Sequence, residues 1–516
     1  MMEEFQGMFT STTRPGVDDK QCWNLDGYMP IGPRMLRTLP GTGPVLWVAP
    51  SAIAFFEFAN IGSTPYAIVF LSDGSIWRVV TSTGSAAQIA GPGTILNPSP
   101  VTTGVSQAGS SYVLIVTQQT NGYFIWDGTT FYVPGGPDPL GGTMPTAIGG
   151  SSVETYQGRV WIANGATVTF SAPGSIVDFT TGSGGGNFTS TDSFLRVRYT
   201  CLLQTNGFLY LIGDSSINYI SGVQTSGSPP VTTFTNQNAD PEVGTPYPNT
   251  VDVFGRNIVF ANAWGAHVSY GSAVTKISEA MDGFYTSVPN FAGQQLSAAK
   301  ALIYGKRVWM VLVPVIDLFT GQQVNKLLMW NGTIWWTTGQ DRTPIFIQHQ
   351  EIDSVLTAWG TDGNNLFPLF QRTSSAFTKR VSSKMWTSPI GYNEIKNANQ
   401  FYGLAQYFDI TTPNVTLYVE SENAASFGGN AERTLVPDDA NSKMTWTTGG
   451  QVMVWTTGVP SMLMVWSALS AGFVVFPVTA VGQKGVMLGF TLETNCPDMA
   501  WISTMLGVIP VAYRGK

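Results

Sequence analysis

Apolar and aromatic residues in this chain gather in short runs, each set behind a turn signal, and the runs recur. Four of them align as a turn followed by a strand: GRVWIA at 158–163, NGFLYLIG at 206–213, GRNIVFAN at 255–262 and KRVWMVLV at 306–313. Their aligned aromatics, Trp161, Tyr210, Phe260 and Trp309, stand 49, 50 and 49 residues apart. SYVLIV at 111–116 and PYAIVFL at 65–71 carry the register upstream, and SVLTAWG at 354–360 carries it downstream. A second element recurs inside the units. WDGTTFY at 126–132 resembles WNGTIWW at 330–336, and SDGSIW at 72–77 is a further relative. Asp-Gly and Asn-Gly supply the positive φ that tight hairpin turns require, so each unit reads as strand, turn, strand and a second hairpin.

Units of about 40–50 residues holding four strands are the modules of a β-propeller. About seven fit between residues 45 and 375, with six or eight as neighbouring counts. Radial closure removes long sheet edges, which matters in a chain with few charges to protect them. A β-solenoid is the alternative, but its repeats are usually shorter. The recurring aromatics read as inter-blade packing, ahead of a ring that stacks on a ligand.

The flanks differ. Residues 1–44, with GYMPIGPR at 27–34, read as an extended N-terminal arm that packs on the first blade or on a neighbouring subunit. Beyond residue 376 the register stops. TLYVE at 416–420, QVMVW at 451–455, FVVF at 473–476 and GVMLGFTLE at 485–493 alternate like strands of a separate β-sandwich over 376–516. The fold class expected is therefore all-β: a propeller over 45–375 followed by a sandwich.

Composition changes the picture in one respect. Of 516 residues only 11% are charged, against roughly 25% in an average soluble domain. No charge occurs between Arg78 and Asp127. Charge is depleted from interface cores, so much of this surface is expected to meet other subunits. A net charge of −7, with no basic patch beyond Lys379, Arg380 and Lys384, argues against a binder that grips nucleic acid. Cys22, Cys201 and Cys496 are odd in number and far apart, so they imply neither a disulfide framework nor a metal site. The acidic N-terminus lacks the apolar stretch of a signal peptide. The uncharged span Gln451–Gln483 is broken by Gly458, Pro460, Gly472 and Pro477, and reads as strands with no membrane span.

Catalytic chemistry finds little footing. His267 and His349 are the whole imidazole supply, and neither sits in HExxH. There is no GxSxG elbow, dinucleotide fingerprint or P-loop. GSGGGN at 182–187 lacks the Lys and helix of a phosphate cradle and reads as a flexible inter-blade loop. Asp240 with Glu242, or Asp438 with Asp439, are carboxylate pairs in turn-like sequence that no spacing rule selects for glycoside hydrolysis. The expectation is no enzyme: catalytic residues none, cofactor none, metal none. The sequence does not select interface or DNA-channel residues.

Three passages resemble the tail nozzle, or packaged-DNA-stabilisation (tail hub), proteins of short-tailed bacteriophages: WNLDGYMP with RMLRTLPG within 23–41, FLYLIGDSSINYISG at 208–222, and the stretch DVFGRNIVFAN to KIS within 252–278. The likeness covers residues 20–280 in order and spacing. The arm lacks the family's usual run of charged residues. The resemblance implies a structural virion protein made in the host cytoplasm. It would form a homo-oligomeric ring, as a hexamer, between tail adaptor or portal proteins and distal tail components or fibres. The ring would extend the channel, retain packaged DNA and let double-stranded DNA pass at ejection without sequence recognition. An acidic, weakly charged chain agrees with a channel that does not hold phosphate. The alternative is a carbohydrate-binding propeller that recognises a host receptor, motivated by the 12% aromatic content.

Overall fold

The computed structural model describes residues 4–61, 64–96, 101–108, 111–119, 122–190, 199–271, 273–289, 291, 294–317, 321–371, 377–387, 394–407, 415–422, 431–435, 447–448, 451–452 and 473–513. Among these, strands form seven four-stranded units in chain order. They lie at residues 53–90, 101–132, 152–189, 199–240, 252–276, 297–338 and 346–368. The first six are complete within their own span. The seventh has three strands of its own and takes its outermost from β4 (Trp47–Val48), with Leu366 opposite Trp47. The chain therefore closes the ring by lending an early strand to its last blade. This is a seven-bladed β-propeller.

The repeat seen in the sequence is the second strand of every blade. Trp161, Tyr210, Phe260 and Trp309 all lie on such strands and are buried between blades. The turn entering that strand is equally regular. Gln157, Asn206, Gly255, Tyr304 and Asp353 recur every 49 residues, each with φ between 49° and 68°. The Asp-Gly and Asn-Gly elements at 127–128 and 331–332 are tight turns between paired strands, closed by their side chains. Asp127 Oδ1 accepts from the Thr129 and Thr130 N–H groups at 2.8 and 2.7 Å, and Asn331 Oδ1 accepts from Thr333 and Ile334 at 3.1 Å. The side chain closes the turn, and only the following Gly128 or Gly332 takes positive φ. Both sit between third and outermost strands, whereas SDGSIW lies one connection earlier in its blade.

The N-terminal stretch differs from the expected extended arm packed on the first blade or a neighbouring subunit. β1 (Asn24–Asp26), β2 (Tyr28–Gly32) and β3 (Met35–Thr38) are sandwich strands. β1 pairs in parallel with the outermost strand of blade six (Asp26 opposite Thr337) and antiparallel with Lys379–Ser382. One nine-stranded sheet thus runs from blade six through β1 into Lys379–Ser382, Leu488–Thr494, Val415–Ser421 and Ala431–Leu435. The facing sheet is β2, β3, Met499–Tyr513, Glu394–Tyr407 and Phe473–Gly485. Phe401 meets Phe490 edge-on at 5.5 Å between the two sheets. Residues preceding β1 pack on blades five and six, not on the first: the Met8 N–H donates to Trp335 O and Thr10 N–H to Ala280 O, both at 2.7 Å.

Buried charges fasten this junction. Lys326 of blade six bridges Asp26 on β1 at 2.7 Å and Asp317 at 2.6 Å. Arg14 pairs with Glu420 at 2.5 Å and donates to Ser383 O and Phe490 O. The basic residues singled out as a cluster are spent locally. Lys379 lies over the Phe377 ring, Arg380 pairs with Glu493 at 2.6 Å, and Lys384 pairs with Asp19 at 3.0 Å. Most of the uncharged span 451–483 lies outside the described residues, apart from 451–452 and the strand Phe473–Gly485. Among the described residues no helix is long and apolar enough to cross a membrane.

Candidate functional site

The innermost strand of each blade faces the propeller axis, and its side chains alternate between axis and core. Where these strands converge they enclose a cavity of about 300 Å³. Its polar wall comes from different blades: Glu57 from the first, Thr103 from the second, Glu154 from the third, Asp252 from the fifth and His349 from the seventh. Phe55, Val101, Val153, Leu202 and Val251 supply apolar stretches between them.

Polar side chains on these strands also tie blade to blade. Ser152 Oγ accepts from the Leu202 N–H at 2.9 Å, and Ser297 Oγ from Ile347 at 3.0 Å, each reaching fifty residues ahead. Thr155 donates back to Val105 O at 3.0 Å, and Asn206 donates forward to Arg256 O at 2.7 Å. Phe346 packs edge-on against Phe55 and Phe56 at 5.3 Å, joining the last blade to the first.

Burial dominates the electrostatics of the cavity. It pushes the Glu57 carboxyl up to about 7, against the lowering hydrogen bond from Thr103 at 2.5 Å, and the nearby Glu154 adds a smaller upward push. Burial also raises Glu154, opposed by the Thr155 and Gln204 N–H groups at 3.0 and 3.4 Å. Asp252 pairs with Lys300 at 2.9 Å, and Lys300 also donates to Val253 O at 2.9 Å. His349 Nδ1 stands 3.6 Å from Asp252, yet burial holds the imidazole below its ordinary value. Cys201 in the same wall is pushed up to about 12 by burial, which keeps it a thiol.

The residues weighed from sequence alone take other places. His267 is buried in blade five and stacked on Phe260 at 5.5 Å. Burial, and then the Lys276 charge, bring it down to about 4. Its role is packing. Asp240 Oδ1 accepts from the Glu242 and Val243 N–H groups at 2.9 Å and shapes a turn. Asp438 and Asp439 lie outside the described residues. GSGGGN is not an inter-blade linker: it joins the third and outermost strands of blade three. Buried Arg159 donates to Gly184 O at 2.9 Å there, and Thr232 of the neighbouring blade donates to the same carbonyl. The aligned aromatics are buried, as expected for packing between blades, whereas Trp264 and Tyr270 are exposed at the two ends of one strand of blade five. Sequence reasoning passed over Glu57, Glu154, Asp252 and Lys300. Each stands a few residues ahead of a repeat turn, which was the signal available for finding them.

The class is therefore a seven-bladed β-propeller fused to a β-sandwich, with a polar axial cavity. No family model matches the sequence, and no curated protein matches it. Among solved structures the chain is similar to the Cps50 (Swd1) β-propeller domain of Myceliophteria thermophila, with 11% identity, 62% of this chain and 99% of that one covered, and a TM-score of 0.35. It is similar to Raptor of Chaetomium thermophilum, with 8% identity, 64% of this chain, only 30% of that one, and a TM-score of 0.38. It is also similar to AofleA of Arthrobotrys oligospora, with 12% identity, 65% and 92% covered, and a TM-score of 0.31.

Proposed function

We propose that this protein is a structural virion subunit, one copy of the ring-shaped tail nozzle of a short-tailed bacteriophage. The observation that carries the reading is the nine-stranded sheet joining blade six to the sandwich through β1. It makes two domains into one stiff body, as a load-bearing ring subunit requires, where a tethered binding module needs only a linker. Two further features support it. The axial cavity of about 300 Å³ is far too small for a duplex, so a DNA path must run between copies and not through one. The span from Arg78 to Asp127, covering the outer part of blade one and nearly all of blade two, offers uncharged surface with Leu96, Val105 and Tyr112 exposed. That suits contact between copies.

In this reading adaptor or portal proteins lie above the ring and distal tail components or fibres below it, and no catalytic step is involved. Native mass spectrometry and electron microscopy test it. A symmetric ring with an open axial channel, of six copies, is expected. A stable monomer at high concentration, with no ring on assembled particles, overturns it.

A further inference from the structure

We propose that the outermost strand of blade four, Val231–Asp240, is a pairing edge that takes the same strand of a second copy, antiparallel about a two-fold axis. At ten residues it is an outlier. The outermost strands of blades one, two, three, five and seven have two to five residues. That of blade six, four residues long, is already covered by β1. Among the described residues no strand pairs with the far side of Val231–Asp240, and no backbone bond from outside blade four reaches it. Such an edge presents a row of open N–H and C=O groups, which proteins usually blunt by shortness, charge, proline or a bulge. None of these operates between Val231 and Asn238. No charged residue occurs from Ser215 to Ala239, Pro229 and Pro230 precede the strand, and its own bulge falls at Ala239, at its end. Val231, Thr233, Thr235 and Gln237 are exposed.

The hairpin that carries this strand is held in place, so the edge is formed before a partner arrives. Phe234 packs on Trp161, Phe170 and Phe188 of blade three, with 5.1–5.7 Å between ring centres. Buried Arg159 donates to the Thr225 and Thr232 hydroxyls, one on each strand of the hairpin. Length and charge select the partner. A strand edge is covered by a strand, and among the propeller's outer edges only another copy of Val231–Asp240 matches its length. Antiparallel self-pairing brings threonine, asparagine and glutamine opposite one another and sets the two Asp240 carboxylates at opposite ends. Two-fold pairing consumes both edges and closes, where head-to-tail pairing with an unlike edge leaves one open. A two-fold contact does not lie within a cyclic ring. It joins unassembled chains in pairs, or one ring to another, and so stands or falls apart from the nozzle reading.

Native mass spectrometry of the full chain tests this with charges placed on the edge. Thr235→Lys sets like charges on facing strands and is expected to weaken pairing about tenfold or more. The mass of the assembly should then halve, whether the native chain forms a pair of chains or a pair of rings. Thr235→Glu alone should do the same. An equimolar mixture of the two variants should restore the paired mass, because opposite charges then meet across the axis. Hydrogen exchange of the native chain gives a second readout. Amides within 231–238 are expected to be protected at high concentration and to lose that protection on dilution. An assembly unchanged in Thr235→Lys, or no recovery in the mixture, overturns the proposal. So does protection that is absent or independent of concentration, the latter because the edge is then covered within one chain. Should Thr235→Lys fail to fold, as judged by its thermal midpoint, the exchange experiment decides.

Discussion

Single side chains do two kinds of work in this propeller. The aromatics at 161, 210, 260 and 309 fill the space between blades, and the serines at 152 and 297 bind the next blade's backbone. His267 belongs with the first kind although its chemistry invites a functional reading. Its stack on Phe260 and its low proton affinity mark it as a neutral, buried ring. A pH dependence follows. The folded group titrates at about 4 and the unfolded one near 6.5, so between these values the unfolded chain binds more protons. The stability His267 provides is complete above about pH 6.5 and is lost as pH falls toward 4. The loss is on the order of 3 kcal/mol. Urea denaturation across that window should show a steeper decline for the native chain than for His267→Phe. Parallel curves would rule the role out.

At the level of elements, the decisive piece is β1. Three residues long, it joins blade six to the sandwich, and Lys326 bridging Asp26 and Asp317 fixes its position. Burial alone would lower the lysine, but the two carboxylates outweigh it and hold the ammonium above its ordinary value. Removing the cation leaves two buried carboxylates facing each other. Lys326→Met is therefore expected to cost about 3–5 kcal/mol in urea unfolding. Adding Asp26→Asn and Asp317→Asn should restore much of that, because the uncompensated charges are then gone. If the single variant is as stable as the native chain, the bridge does not fasten the junction. The sequence offered little warning of this element. The passage from Trp23 to Arg34 is broken by Gly27, Pro30, Gly32 and Pro33 and has no alternating run long enough to read as strands. Its pairing comes from partners more than three hundred residues away.

For the whole molecule, the ring closes through β4 and the sandwich is completed by β1–β3, so both domains depend on the first fifty residues. One core runs without interruption from blades five to seven into the sandwich, from Trp309 and Trp336 to Leu492 and Trp501. A shared core and a shared sheet predict shared cooperativity. Differential scanning calorimetry of the full chain should show one transition. A chain beginning after Val48 should lose the folded propeller as well as the sandwich. Two well-separated transitions in the intact protein would sink the idea that the domains form one stiff body, and would weaken the nozzle reading with it.

The sequence by itself determined the period, the second strand of each blade and the turn that enters it. Those positions see the same surroundings seven times, so the same residue types recur and the repeat is visible locally. It also determined that the register ends near residue 376, because the sandwich strands have no such common environment. Only the tertiary structure decided where the N-terminal strands pair, how the seventh blade is completed and which side chains meet on the axis. Glu57, Glu154, Asp252, Lys300 and His349 come from five blades and are chemically unlike one another. The blades contribute unlike residues to a single shared space, so the cavity need not repeat, and closing the ring is what brings its wall together.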